Sequence, residues 1–336
     1  MSRCCLLLGI WLGVTAGLPA QELPLVLSTA SMIDDIARNI GGANFVYDVI
    51  VPIGGDPHIY EPTPRDAHKC NEAALILRNG LTFEGWLNKL IENSGTRAEV
   101  VTVSKGVAAI SSQQYTNATD PHAWMDASNG VIYAQNIRDA MIRLAPELEA
   151  DLVASYERYK RAVEETDSYV MRQISSIPAE KRILITSHDA FQYFGRRYGI
   201  QLEAVLGTST DADVQTSDIR RLNEVIRSTR VPAVFIESTI NPRILQQIAR
   251  DNGVVVGGKL YADSLGDSDT PAGTYLGMLR YNADVIFAGL SQERADAGDG
   301  HHSAVEEPSS ITWLWGLLLA PIVLAVVVFL VRMVRR

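Results

Sequence analysis

One uninterrupted segment, residues 147–175, constrains the fold most, because it contains neither glycine nor proline. Its apolar residues recur at intervals of three, four and seven: Leu148, Leu152, Tyr156, Tyr159, Val163, Val170 and Ile174. This spacing predicts one amphipathic helix about 43 Å long at about 1.5 Å per residue. A coiled-coil segment is the simplest interpretation. The strands and helices on both sides instead favour a rod that joins two lobes.

Short apolar runs alternate with helical patterns on both sides of this segment. The predicted strands are 25–28, 45–51, 74–77 and 99–103 before it, and 182–185, 202–206, 231–236 and 254–256 after it. Such alternation predicts an α/β fold with two lobes of parallel sheet and flanking helices, joined by one long rigid helix. We therefore divide residues 21–293 into an N-terminal lobe (21–145), a linking helix (146–177) and a C-terminal lobe (178–293).

Both ends of the chain have the pattern of targeting segments. Residues 1–20 combine an early arginine, an apolar run and small residues, which predicts a signal peptide cleaved after Ala20. Residues 311–331 carry no charge and span about 31 Å, which predicts a transmembrane helix after a flexible linker at 294–310. The basic tail at 332–336 predicts a cytoplasmic end. We expect an exported, membrane-anchored protein whose lobes face the periplasm or cell surface.

Charge and cysteine content limit the classes of function. The formal net charge of −9 argues against nucleic acid as a partner and suits a cationic ligand. Only three cysteines are present, two of them near the start of the chain. This number and placement exclude a disulfide framework and a cysteine-based zinc module.

Three of the six histidines lie where a ligand is expected. His58 follows the 45–51 strand and the break at two glycines, and His122 and His188 also follow strands or open helices. Side chains at the ends of strands point towards ligands more readily than into a core. Neutral imidazole binds zinc, manganese, iron and copper. The other three histidines, His68 in a predicted helix and His301 and His302 in the polar tail, are interpreted as solvated.

Five sequence motifs carry a family resemblance. They are Gly-Asp-Pro-His-Ile-Tyr-Glu-Pro-Thr-Pro at His58, Asp-Pro-His-Ala-Trp-Met-Asp at His122, Ser-His-Asp-Ala-Phe at His188, Phe-Ile-Glu-Ser at Glu237, and Leu-Tyr-Ala-Asp-Ser at Asp263. With these motifs the chain resembles the zinc/manganese solute-binding proteins of ABC importers, over almost all of its exported part. The resemblance implies two lobes joined by a rigid backbone helix, with one metal ion in the cleft.

The resemblance also implies a function and a set of ligands. The chain would be the extracytoplasmic substrate-binding component of an ABC importer for zinc or manganese, with iron a further candidate, and not an enzyme. It would deliver the ion to a membrane permease and its ATPase. The implied ligands are His58, His122, His188 and Asp263, whereas Glu237 is expected to be structural.

The chemistry of these residues agrees with that set. Three imidazoles and one carboxylate saturate a tetrahedral zinc ion, and a bidentate Asp263 would make a five-coordinate manganese or iron site. Asp267 and Asp269 are alternatives to Asp263 that the sequence leaves open. Four acids close to the histidines are candidates for orienting the imidazoles or for solvated loop positions: Asp56, Asp120, Asp126 and Asp189.

Two departures from the family bear on the choice of metal. Residues 112–120 are short and lack histidine, whereas some zinc-specific members have a long histidine-rich loop there. His188 stands where some manganese members have glutamate. Each departure weakens an assignment to one metal alone, and the C-terminal membrane segment is a further difference from many members.

Two other classes of function remain open from the sequence. An exported zinc-dependent hydrolase needs three protein ligands and an open position for water, but no His-Glu-x-x-His motif occurs. A metal-binding surface adhesin would share the exported architecture.

Overall fold

A computed structural model describes residues 23–111 and 119–292. The predicted signal peptide, the linker at 294–310, the membrane helix at 311–331 and the basic tail lie outside these described residues. Within the two described stretches, no helix is both long and apolar enough to cross a membrane.

A four-stranded parallel sheet forms the N-terminal half, residues 23–145. Its strands are β1 (Leu25–Ser28), β2 (Val46–Val49), β3 (Leu75–Arg78) and β4 (Glu99–Thr102), in the order β2-β1-β3-β4. Its helices are α1 (Ser31–Gly41), α2 (Pro64–Glu72), α3 (Leu87–Ser94) and α4 (Ala127–Leu144). Each of the three connections between consecutive strands is a crossover that contains a helix, as the alternating pattern predicts.

The burial predicted from the sequence of the 45–51 strand was wrong for β2. The apolar run 45–51 predicts a buried strand, but β2 lies at the edge and Val46 is 49% exposed. Phe45, Ile50 and Val51 are the buried members of the run, and they flank the strand. A continuous apolar run cannot distinguish a central strand from an edge strand with buried ends.

Two pairs of parallel strands form the C-terminal half, residues 178–292. The strands are β5 (Ile183–Thr186) with β6 (Gln201–Ala204), and β7 (Ala233–Glu237) with β8 (Val255–Leu260). Because β5 packs beside β7, the four strands lie side by side. The helices of this half are α6 (Gln192–Tyr198), α7 (Thr216–Thr229), α8 (Arg243–Asp251) and α9 (Tyr275–Leu290).

The long helix predicted between the halves is α5, Glu149–Ser175, with 27 residues. It begins two residues later than predicted, because Pro146–Leu148 form a 3-10 turn. One face packs against α1 and α4 of the N-terminal half and against α6 and α9 of the C-terminal half. The residues that recur along this face, from Leu152 to Ile174, are buried.

The main hydrophobic core is continuous through both halves. One cluster of buried apolar residues extends from Val26 in β1, through Val163 in α5, to Leu290 in α9. Two smaller clusters lie within single halves, one around Leu27 and one around Ile185. Because interiors are close-packed, a shared core resists wide relative movement of the halves.

Candidate metal site

Four predicted ligands converge on one point. One donor atom from each of His58, His122, His188 and Asp263 lies within 4.8 Å of the other three. His58 lies between β2 and α2, His122 lies before α4, His188 follows β5, and Asp263 follows β8. Parallel strands bring their carboxyl ends to one edge of each sheet, so ligands distant in sequence meet there.

The distances from His122 Nε2 to the other three donor residues match the edges of a small tetrahedron. His122 Nε2 lies 3.2 Å from His58 Nε2, 3.3 Å from His188 Nε2 and 3.2 Å from Asp263 Oδ1. Asp263 Oδ2 lies 3.2 Å from His188 Nε2 and 3.8 Å from His58 Nε2. Donors bonded to zinc at 2.0–2.1 Å stand about 3.3–3.4 Å apart in a tetrahedron. The donor set therefore fits a transition-metal ion at its centre.

The carboxylate of Asp263 is the strongest sign of a cation at this position. Asp263 is 1% exposed, and neither of its oxygens has a hydrogen-bond partner. Its nearest polar neighbours are the imidazole nitrogens, at 3.2–3.8 Å, and buried charged groups in proteins are paired or coordinate metals. A metal ion would satisfy both the carboxylate oxygens and the lone pairs of the three facing imidazole nitrogens.

His122 is oriented by Asp120. Asp120 Oδ1 lies 2.7 Å from His122 Nδ1 and accepts a hydrogen bond from the His122 backbone N–H at 2.9 Å. With its proton on Nδ1, the imidazole presents the Nε2 lone pair to the cluster. Asn79, directly after β3, donates to the Pro121 carbonyl at 3.0 Å and thereby holds the same turn.

His188 is held by Glu237 at the end of β7. Glu237 Oε1 accepts a hydrogen bond from the His188 backbone N–H at 2.8 Å. Glu237 Oε2 lies 2.7 Å from His188 Nδ1, at the distance of an ion pair but without the alignment of a hydrogen bond. The sequence predicts only a structural role for Glu237. The structure shows that it positions His188, which follows from β5 and β7 being neighbours.

His58 lies on the side of the cluster nearest to solvent. Its side chain is 4% exposed, and its ring lies edge-on to Phe83 with a centroid distance of 4.9 Å. Phe83 also packs against Trp124, whose ring lies beside His122. These aromatic rings exclude water from one wall of the site.

The electrostatics of the metal-free site differ from one histidine to the next. Burial lowers the pKa of His58 to about 3, so this imidazole is neutral. Burial also lowers the pKa of His122, but Asp120 and Asp263 outweigh it and raise that pKa to about 9. Burial likewise opposes protonation of His188, whereas Glu237 and Asp263 hold its pKa well above the ordinary value. A metal ion must therefore displace protons, since a ligand nitrogen has to be deprotonated.

The pKa of Asp263 is lowered, whereas the pKa values of His122 and His188 are raised. Burial raises its pKa, but His188 and His122 outweigh that effect and hold the pKa well below the ordinary value. Asp263 is therefore ionised and available as an anionic ligand.

Three of the four candidate orienting acids have other partners. Asp126 caps α4 by accepting from the Ser128 N–H at 2.9 Å, and Asp189 accepts from the Gln192 amide at 2.8 Å. Asp56 accepts from the Thr210 hydroxyl. Only Asp120 among the four contacts an imidazole.

The other candidate residues lie away from the cluster. Asp267 and Asp269 are exposed, whereas Asp263 is buried among the histidines. The side chain of His68 is 70% exposed and lies 3.3 Å from Glu72, which agrees with the solvated interpretation. His301 and His302 lie outside the described residues.

The family described as ZnuA, zinc-uptake complex component A periplasmic, matches residues 26–289. The chain belongs to this family. The manganese-binding lipoprotein MntA of Halalkalibacterium halodurans is 33% identical over 267 residues, which cover 80% of this chain and 88% of MntA. The zinc-binding protein TroA of Treponema pallidum is 32% identical over 300 residues, which cover 86% of this chain and 97% of TroA. The resemblance predicted from the motifs is confirmed.

Solved structures have the same fold. The periplasmic zinc-binding protein TroA from Treponema pallidum superposes with a TM-score of 0.76 and 33% identity, covering 80% of this chain and 99% of TroA. A manganese-bound periplasmic metal-binding protein from Candidatus Liberibacter asiaticus superposes with a TM-score of 0.73 and 31% identity, with the same coverage. The α/β fold with parallel strands and flanking helices is thus that of periplasmic metal-binding proteins.

Proposed function

We propose that this protein is the extracytoplasmic substrate-binding component of an ABC importer and carries a divalent transition metal on His58, His122, His188 and Asp263. The observation that carries the proposal is the buried Asp263 carboxylate, which has no hydrogen-bond donor and is faced by three imidazole nitrogens. A buried carboxylate needs positive charge beside it, and a metal ion among the four donors supplies that charge.

Zinc and manganese are the ions that this site suits best, with iron a further candidate. Four donors at tetrahedral spacing suit zinc. The two oxygens of Asp263 each lie 3.2 Å from a different imidazole nitrogen, so both face the centre and could make a five-coordinate site for manganese or iron. Relatives named for zinc and relatives named for manganese both support this pair of ions.

Carriage is favoured over hydrolysis. Four protein donors saturate a tetrahedral ion and leave no position for a reactive water, which hydrolytic zinc sites keep open. Members of the family are named as uptake and substrate-binding components. A surface-adhesin role stays an untested alternative.

The partners follow from this function. A substrate-binding component delivers its ion to a membrane permease driven by an ATPase, and the net charge of −9 suits a cation and not nucleic acid. The site also supports delivery, because the ligands come from both halves of the chain and local movement of a ligand loop separates them.

We also propose the arrangement of the chain around the site. Residues 21–145 and 178–293 act as two lobes, and residues 146–177 link them as a rigid rod. The packing of α5 against both halves supports a rod without a hinge. Release of the ion then needs local movement and not a wide swing of the lobes.

Anchoring by residues 311–331 is a separate proposal, as is export directed by residues 1–20. The linker at 294–310 would span about 23 Å as a flexible chain, which keeps the lobes near the membrane and raises their effective concentration at the permease. A chain that ends at Ser310 should bind metal normally and become soluble. Retention of that shortened chain in the membrane fraction would contradict the anchor.

Metal analysis and titration test the proposed function. The full-length protein should bind one equivalent of Zn²⁺ or Mn²⁺, and His122→Ala should remove high-affinity binding. His68→Ala is the matched control, since this imidazole is exposed and lies outside the cluster. Binding by His122→Ala as tight as that of the parent would refute the site.

A further inference from the structure

The loop that carries His58, residues 52–62, is the outer wall of the site. The side chains of His122, His188 and Asp263 are 0% exposed, whereas the His58 loop exposes Ile53 and Ile59 by about half of their surfaces. His58 is the least buried of the four donor residues, so displacement of its loop is the simplest way to open the cluster to solvent.

Two hydrogen bonds join the His58 loop to the C-terminal half. The Thr210 hydroxyl donates to Asp56 Oδ2 at 2.6 Å, and the Gly54 N–H donates to Ser264 Oγ at 2.8 Å. Thr210 lies between β6 and α7, and Ser264 directly follows the predicted ligand Asp263. The loop is therefore fastened across the cleft at two points.

Asp56 links the hydrogen bond from Thr210 to the ligand residue His58. While Oδ2 accepts from Thr210, Oδ1 of the same carboxylate accepts from the His58 backbone N–H at 2.9 Å. One rigid carboxylate thus joins the backbone of a ligand residue to the opposite half of the protein. A hydrogen bond to an ionised acceptor is about twice as strong as one between neutral groups.

Two other residues of the His58 loop bear on its movement. Pro57 is held to the N-terminal half, and Gly54 has a backbone conformation that favours glycine. Trp86 Nε1 donates to the Pro57 carbonyl at 2.8 Å, which holds that residue to the N-terminal half. Gly54 adopts a φ of +82°, and no atom lies within 4 Å of the position that a Cβ would occupy. Glycine accepts such a φ without strain, so the backbone can change direction there.

We propose that the Asp56–Thr210 hydrogen bond is a latch that holds the His58 loop over the bound ion and sets the rate of metal exchange. The inference rests on the proposed function. Asp56 and Thr210 are positioning residues, since neither belongs to the donor cluster. A bond that joins two parts of the protein and does not touch the ion slows entry and exit alike. Its loss should change both rates more than it changes Kd.

The test removes the hydroxyl and keeps the shape of the side chain. In Thr210→Val, stopped-flow release of Zn²⁺ from the full-length protein into excess chelator should be about tenfold to a hundredfold faster, as expected for losing one hydrogen bond to a charged acceptor. Association should accelerate in parallel. Thr229→Val is the matched control, because the Thr229 hydroxyl bonds only to the Val225 carbonyl within α7 and should leave both rates unchanged.

Hydrogen exchange gives a readout that does not depend on the metal. Amides of residues 52–62 should exchange faster in metal-free Thr210→Val than in the metal-free parent, with no change in the exchange of α5. Asp56→Asn is the second variant, because its amide oxygen still accepts from the His58 N–H while the charged partner of Thr210 is lost. Release should be faster than in the parent and slower than in Thr210→Val, since the amide N–H can still donate to the Thr210 hydroxyl.

The outcomes separate the latch from the proposed function. If both variants bind one equivalent of metal and release it at the parent rate, the latch is refuted while the proposed function stands. A weaker Kd with an unchanged association rate also refutes the latch, since it indicates a contribution to affinity alone. Failure of the parent protein to bind metal refutes the proposed function itself.

Discussion

Replacing Asp120 by asparagine should change how metal affinity depends on pH. In the metal-free protein the pKa of His122 is about 9, because Asp120 and Asp263 outweigh the effect of burial. The ring is thus protonated at pH 7 and loses its proton as the pH rises through about 9. The incoming metal ion must displace this proton, so parental affinity should rise with pH between 7 and 9.

The magnitude follows from two opposing effects. A pKa of about 9 means that the proton on His122 weakens binding about a hundredfold at pH 7. Asp120→Asn removes the anion that raises this pKa, so the proton is lost at lower pH and much of that competition disappears. The same change removes the group that orients the imidazole, which costs about 10–100-fold in intrinsic affinity. The two effects offset each other near pH 7 and separate as the pH rises.

Competition titrations against a chelator of known protonation, at pH 7, 8 and 9, measure this difference. We expect Asp120→Asn to bind within about tenfold of the parent at pH 7 and about 10–100-fold more weakly at pH 9. Asp189→Asn is the control, because Asp189 accepts from Gln192 and contacts no imidazole. A pH dependence in Asp120→Asn identical to that of the parent would refute the assigned role of Asp120.

Other measurements test the binding, rigidity and packing of the protein. Free metal at 100 times Kd should stabilise the folded state by about 2.7 kcal/mol and raise Tm, and no shift would mean that the ion does not prefer the folded state. Scattering profiles with and without metal should superimpose, whereas a change of several ångströms in radius of gyration would contradict a rigid α5. Thr63→Ala should lower the free energy of unfolding by about 1 kcal/mol in a denaturation experiment, because Thr63 and Asp66 form a capping box. Thr63→Ser keeps the hydroxyl and should have a free energy of unfolding close to that of the parent. Gly130→Ala should destabilise the folded protein by about 1–3 kcal/mol, since the added Cβ would lie 2.9 Å from the Tyr275 ring. Gly85→Ala is the control in the same denaturation series, because no atom lies within 4 Å of its added Cβ.

Parts of the fold that depend on local spacing could be predicted. The pattern after the His122 motif predicts a helix over 127–144, and α4 has these bounds, Ala127–Leu144; α5 differs from its prediction only at its first turn. Residues at helical intervals share a face whatever lies opposite, so the periodicity of the chain predicts these elements directly. The capping box at Thr63 is local in the same sense, because its two members are three residues apart.

Parts of the site that depend on neighbours in space could not be predicted from the sequence alone. Asp56, Asp120, Asp126 and Asp189 all lie within four residues of a ligand histidine, yet only Asp120 contacts an imidazole. The direction of each carboxylate depends on the turn that carries it and on partners from distant elements. Thr210, which binds Asp56 from the opposite half of the chain, has no local signal in the sequence.

The sequence by itself determined the α/β alternation, the long helix and the placement of three histidines in loops beside strands and helices, because each is encoded by residues close together along the chain. Only the tertiary structure decided which strand lies at the edge, which carboxylate joins the histidines and which acids orient them. Asp263, and not Asp267 or Asp269, contacts the imidazoles because it follows β8 and is buried at the shared edge of the strands. Glu237 positions His188 because β5 and β7 are neighbours. Strand order and the packing of turns arise from the whole core, and residue spacing does not contain them.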